Sequence, residues 1–284
     1  MNYLSIPTPA KTIMIGSPPE LEQNIRTSVF SGLITNNPTT DDNEINYQIR
    51  QESEKYLLYR NRRLTHRNRN SHKIIYALEW QIVNDFLNAY KNYIKFHAAA
   101  LSHKNRGALF IGHSGTGKTS LSLVLMKTDW QLLSDEFGIL DAANLTIQPF
   151  LRNIIIKPHH PIDSARKEKF LNTVYQTEKK RLEIHYFPPS EFGVLRNKST
   201  PLKQIYYLKN SESSYFSIKR LKQYEALPLL LNHLQNPEIL QTMLFDFTSS
   251  IFNDIRHFEL HLPNPFTLTE KQQAKLRTQL AGGF

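Results

Sequence analysis

Residues 112–119 read Gly112-His113-Ser114-Gly115-Thr116-Gly117-Lys118-Thr119, with Ser120 following. The run satisfies G-x-x-x-x-G-K-[ST] in full and lies between the apolar ALFI and a stretch of helical composition. The chemistry it serves is phosphate binding. Glycines let the backbone wrap closely and turn its N–H groups toward an anion. The start of a helix adds partial positive charge. A lysine at this spacing reaches the β- and γ-phosphates of a nucleotide, and the Thr119 hydroxyl is placed to ligate Mg²⁺. The expectation is that Gly112 to Ser120 hold the phosphates of a nucleotide with Mg²⁺; a purely structural glycine loop is the competing reading.

What a bound nucleotide would be used for depends on an acidic partner. Asp135 and Glu136 follow the apolar WQLLS, 17 residues beyond Lys118. A carboxylate at a strand end is where such a loop needs a base or a metal-binding group; two acids in a surface turn are the bland alternative. Asp135-Glu136-Phe137-Gly138 also fits the DxxG of GTPases. The interval leaves no room for a switch loop and strand, however, and Asn197-Lys198 continues as Ser199-Thr200 rather than completing N-K-x-D. Transfer chemistry also wants a cation against the developing charge. Arg152, Lys157, Arg166, Arg181 and Arg196 are the downstream candidates, with Arg152 and Lys157 favoured because they follow a strand close to the expected core. His159 and His160 are adjacent, face different ways and lack a third ligand, so they stay off the metal list.

The elements that must position these groups are read from periodicity. KFHAAALS (95–102) and ALFIG (108–112) are expected as strands around the turn KNRG, followed by a helix over about 118–127 and strands at WQLLS, FGILD and LTIQPF. Upstream, KTIMIG, EINYQIR and KYLLYR read as strands, and residues 36–44 as a polar loop. Leu78, Ile82, Phe86 and Tyr90, with Val83 and Leu87, form the core stripe of an amphipathic helix beginning near Ile75. Residues 158–200, rich in Pro, Lys and Ser, are expected as long loops and short helices. QIYYLK, YFSIKRL and RHFELHL read as strands; EALPLLLNHL, PEILQTMLFDFTSSIF and the segment led by TLTEKQQ read as helices. The expected division is an α+β lead-in over 1–75 and a nucleotide-binding core over 76–284.

Composition narrows the classes. The 284 residues carry 35 Lys+Arg against 25 Asp+Glu, a formal +10, and no Cys. Without cysteine there are no disulfides, thiolate zinc sites, iron–sulfur clusters or cysteine nucleophiles. No window approaches ~18 uninterrupted apolar residues and the N-terminus lacks a signal-peptide pattern, so a soluble cytoplasmic protein with no membrane partner is expected. Between Glu54 and Glu79 there is no acidic residue, whereas Lys55, Arg60, Arg62, Arg63, Arg67, Arg69 and Lys73 fall there. A solvated basic hairpin explains that tract most simply. Docking of an acidic peptide or protein comes next, ahead of nucleic acid, because no nucleic-acid motif accompanies it and Tyr59 is its only nearby aromatic.

The run FHAAALS, a turn, then ALFIGHSGTGKTSLSLVLMKTDWQLLSDEFGILD resembles the nucleotide-binding core of the HPr kinase/phosphorylase family. The resemblance covers residues 95–141 and continues weakly to the C-terminus. It implies an α/β, PEP carboxykinase-like P-loop fold. It also implies a kinase that moves phosphate from ATP with Mg²⁺ to a hydroxyl, and it is nearer the family's stand-alone relatives, some of which phosphorylate a serine of a lasso-peptide precursor. On this likeness Asp135 is the base for the acceptor hydroxyl and His97 the histidine near the acidic pair. Lys118 neutralises the triphosphate, and Glu136, where the family has a second Asp, joins Thr119 at the metal. The Gly-rich downstream signature of the bifunctional enzymes is missing, so reverse phosphorylase activity is not implied. The family includes oligomers, so a homo-oligomer is compatible with it. Three other readings remain: a kinase of a small-molecule hydroxyl, a nucleotide-binding regulator without transfer, and a nucleic-acid-associated ATPase.

Overall fold

The computed structural model describes residues 3–27, 30–35, 44–158, 160–163, 165, 167, 172–177 and 180–282, with backbone alone over 172–177, 180–184 and 240–246. Its chain divides into two compact units, Met1–Lys91 with Arg152–Pro188, and Asn92–Leu151 with Pro189–Phe284. The division therefore falls after Lys91, not at 75, because the helix that starts near 75 packs on the sheet preceding it. His159, Arg166 and most of the loop expected at 36–44 lie outside the described residues.

In the first unit, β1 (Tyr3–Pro7), β2 (Thr12–Gly16), β3 (Glu44–Glu52), β4 (Lys55–Arg60) and β5 (Arg63–Asn68) form one sheet in that order. It is joined by α1 (Pro19–Thr27) and α2 (Ser71–Ala89). The apolar stripe of α2 is buried at Ile74, Ile75, Leu78, Ile82, Val83 and Phe86. Asn70 starts the helix by accepting the His72 N–H. Asp85 on α2 clamps the sheet, accepting from Arg60 Nε and Nη2 at 2.9 and 2.7 Å and from the Tyr47 hydroxyl at 2.6 Å. The tract 158–200, expected without strands, carries β12 (Asn172–Thr177) and β13 (Lys180–Phe187), which form a three-stranded sheet with β11 (Ile154–Ile156). Leu182, Ile184 and Tyr186 alternate with polar residues at strand period, a pattern hidden by the surrounding Pro and Lys.

Arg152, the favoured transition-state cation, is buried in this first unit, paired with an equally buried Glu79 on α2. The Tyr186 hydroxyl donates to the second Glu79 oxygen at 3.3 Å. Arg152 is thus a structural ion, and Lys157 also belongs to this unit. Because both charges are out of water, Arg152→Met strands the Glu79 carboxylate and is expected to cost about 3–5 kcal/mol in urea unfolding. Arg152→Met/Glu79→Leu, which removes both charges, recovers most of that loss.

The second unit is a mixed sheet of eight strands. They are β6 (Ile94–His103), β7 (Arg106–Ile111), β8 (Trp130–Ser134), β9 (Phe137–Asp141), β10 (Thr146–Gln148), β14 (Thr200–Asn210), β15 (Ser217–Arg220) and β16 (Arg256–Leu262). The order is β10-β9-β6-β7-β14-β16-β15 with β8 also on β6, and β10 pairs β14, which closes five of the strands into a ring. Strand β7 runs parallel to β14, and β14 parallel to β16. The helices are α3 (Lys118–Leu125), α4 (Gln223–Asn232), α5 (Leu240–Asp254) and α6 (Glu270–Gly282). Phe96, Ala98, Leu109, Ile205 and Tyr207 from the ring share a buried cluster with Ala226 and Leu230 of α4 and Phe247 and Ile251 of α5. Phe110, Tyr206 and Phe258 stack in a column at 5.2 and 5.1 Å, and the Tyr206 hydroxyl donates to Leu280 O on α6. Among the described residues no helix is long and apolar enough to cross a membrane.

Candidate functional site

The glycine-rich loop leaves the end of β7 and enters α3, both fixed by the core of the second unit. Gly112 has no space for a side chain: a Cβ would stand 2.5 Å from Thr116 Oγ1 and 3.2 Å from Leu208 O. Gly115 and Gly117 take φ of +89° and +88°, the left-handed region that favours glycine. Gly117 is the N-cap of α3 and supplies no side-chain cap, so no cap side chain competes with an anion for the positive end of the helix. The loop is braced by Thr116, whose N–H and hydroxyl donate to His113 O at 3.3 and 2.8 Å. Ser114 and Gly115 form its exposed crest, and Ser120 is buried in the first turn of α3.

Lys118 folds back over this loop, its ammonium donating to Gly112 O at 2.6 Å and His113 O at 3.0 Å. The next residue makes the link to the acids: the Thr119 hydroxyl donates to Asp135 Oδ2 at 2.8 Å. Asp135 and Glu136 occupy the turn from β8 to β9. Both strands pair antiparallel with β6, β8 along Ala100–His103 and β9 along Ile94–His97, so the two acids form a bend in one continuous run beside the alanines of β6. Ser134 Oγ accepts from Phe137 N–H at 3.1 Å and Glu136 N–H at 3.4 Å, and Glu136 O accepts from Ala98 N–H at 3.1 Å. Small residues are required here. A Cβ on Gly138 would stand 2.8 Å from Leu109 Cδ2 and 3.3 Å from Ala98 Cβ. His97 sits opposite Phe137 in the register, one residue from Glu136.

One residue of the site was not legible in the sequence. After α4 the chain meets β6 through a single antiparallel bridge between Leu234 and Phe96. Gln235 N–H donates to Lys95 O at 2.8 Å, and Asn236 Oδ1 accepts from Lys95 N–H at 2.8 Å while its amide donates to Tyr93 O at 2.9 Å. This holds the His233 ring 4.8 Å from that of His113. Burial, then the charges of His113, Lys118 and His97, keep the His233 imidazole below its ordinary value. Four groups that carry or can take a positive charge therefore gather at the loop, as a site for several phosphates would need. In the sequence His233 falls at the end of EALPLLLNHL, which reads as helix, and nothing there marks it as a site residue.

Of the other cation candidates, Arg196 lies in this unit beside β8, its N–H donating to Leu132 O at 2.8 Å and its Nε to Thr200 Oγ1 at 3.2 Å. Among the described residues no three His, Asp or Glu side chains cluster as a preformed metal site. Mg²⁺ does not require one, because it keeps waters and shares phosphate oxygens, needing one or two protein ligands. The closely wrapped glycines, the uncapped helix start and the hydroxyl–carboxylate pair Thr119–Asp135 fit a polyphosphate with Mg²⁺.

No family model matches the chain, and no curated protein does. Among solved structures, the HPr(Ser) kinase/phosphatase from Coxiella burnetii is similar over 66% of this chain and 94% of its own, with a TM-score of 0.30 and 14% identity. The loop's own geometry carries the functional conclusion.

Proposed function

We propose that the protein is an ATP- and Mg²⁺-dependent kinase of a hydroxyl, with a serine of a peptide or protein as acceptor, built on a PEP carboxykinase-like P-loop core. The observation that carries the reading is the bond from Thr119, at the start of an uncapped helix behind a glycine loop, to Asp135 at the end of β8. A carboxylate bonded to the hydroxyl that follows the loop lysine supports a base beside the terminal phosphate of a loop-bound nucleotide. Loop N–H groups, Lys118 and the histidines at 113 and 233 hold the phosphates. Thr119 with Asp135 or Glu136 would hold the metal, which when bound neutralises charge on the phosphates.

In the transfer, the acceptor oxygen forms a bond to the γ-phosphorus as the bond from that phosphorus to the β–γ bridging oxygen breaks, and ADP leaves with the electron pair. The acceptor's proton passes to Asp135. His97, beside the acidic turn, helps set the charge around it. The serine acceptor and a lasso-peptide precursor as its source come from the family resemblance of residues 95–141. The test is incubation with ATP, Mg²⁺ and serine-containing acidic peptides, following phosphate by mass. Phosphorylated peptide supports the reading. ATP binding without transfer to any peptide or small alcohol would leave a nucleotide-binding regulator instead.

A further inference from the structure

The five-stranded sheet of the first unit ends differently on its two sides. At the β1 edge, Ser5 exchanges backbone bonds with Thr35 at 3.2 and 2.8 Å, so that edge is covered. At the other, β5 pairs β4 and no other strand among the described residues. Residues Arg63 to Arg67 are exposed. Such an edge offers a row of backbone donors and acceptors to another extended chain. Charges commonly blunt these edges, but here the charge has one sign. Arg60 is taken by Asp85 and Arg69 lies 3.8 Å from Glu54, whereas Arg62, Arg63, Arg67 and Lys73 have no acidic partner among the described residues. Apolar surface accompanies it. Leu64 is 45% exposed, and Tyr76 and Trp80 on the solvent stripe of α2 are 40% and 63% exposed. Gln81, next to Trp80, bonds Thr65 and His66, which fixes the helix beside the strand.

We infer that β5 is a docking strand for an extended acidic peptide segment, which adds to the sheet edge through its backbone and places carboxylates against Arg63 and Arg67. Charge complementarity selects this occupant. A second copy of the chain pairing β5 to β5 would set arginine strands side by side, and like charges across strands repel. Nucleic acid would use the arginines but not the open backbone of β5. The inference deepens the proposed function by naming how a peptide acceptor is held. It rests on that function only for the occupant being a substrate.

The test is fluorescence anisotropy at ~0.15 M salt without nucleotide, using a fluorescein-labelled peptide of alternating Glu and Val. Saturable binding is expected, weakened about tenfold or more by Arg63→Glu/Arg67→Glu. These side chains are exposed, and far-UV circular dichroism confirms that the variant is folded. The same peptide N-methylated on every second residue, which removes the edge-facing N–H groups in one of its two frames, is expected to lose binding in that frame alone. Equal binding of both N-methylated frames and the parent, or no binding of the parent, overturns the inference. So does tighter binding of a single-stranded oligonucleotide that displaces the peptide. Because ATP is absent, docking of this hydroxyl-free peptide together with no transfer to the serine-containing acidic peptides refutes the kinase and leaves the docking strand standing. Transfer without docking does the reverse.

Discussion

Asp135→Asn is expected to lower the single-turnover rate of phosphate transfer by about 10²–10⁴ at saturating ATP and Mg²⁺, while nucleotide affinity stays within a few-fold of wild type. The substitution is nearly isosteric, and the amide oxygen can still accept the Thr119 hydroxyl that Oδ2 accepts at 2.8 Å. The loop geometry is therefore kept, and what is lost is a carboxylate able to take the acceptor's proton. The pH–rate profile separates this from a metal defect. A wild-type enzyme using Asp135 as base loses activity as pH falls and the carboxylate protonates; in the Asn variant that acidic limb disappears. A metal defect would instead be recovered by raising Mg²⁺. Transfer at the wild-type rate in the variant would remove Asp135 from the chemistry and shift attention to Glu136 in the same turn.

How much of this site could be read from the sequence differs from residue to residue. The loop was legible because its chemistry is local: Gly112, Gly115, Gly117, Lys118 and Thr119 are fixed by consecutive backbone geometry, and the motif states that geometry. The Asp135 link was legible at one remove, since a strand end 17 residues on is a near neighbour in a strand–loop–helix–strand unit. His233 was not. It arrives through a short pairing of Leu234–Asn236 with Tyr93–Phe96, a contact across about 140 residues with no periodic signal. Arg152 misled for the same reason. Its place near a strand was correct, but its partner Glu79 sits on a helix 73 positions away, and nothing local marks a buried ion pair. The lead-in helix and the basic hairpin were visible as patterns. Their joining into one unit with 152–188 depended on pairing between distant segments.

Lys118→Ala is expected to weaken ATP binding by about 10- to 150-fold, the range that loss of charge-assisted bonds to phosphate implies. Two opposing effects decide the size. The ammonium is buried, and in the present arrangement it satisfies Gly112 O and His113 O. To meet a phosphate it must exchange those carbonyls for a full negative charge, so part of the gain is offset by what it gives up. Its removal also leaves the carbonyls bare at the loop, which repels the same phosphates. His233, whose ring lies 4.8 Å from that of His113, compensates only where it can take up a proton. Because burial, and then the remaining charges of His113 and His97, hold His233 below its ordinary value, that compensation is weak at pH 7.5 and grows as pH falls. The defect in Lys118→Ala should accordingly shrink between pH 7.5 and 6 in isothermal titration with ATP, and Lys118→Ala/His233→Asn should lose that recovery. Affinity unchanged by Lys118→Ala at both pH values would mean that the phosphates bind elsewhere, and the glycine loop would be a structural turn.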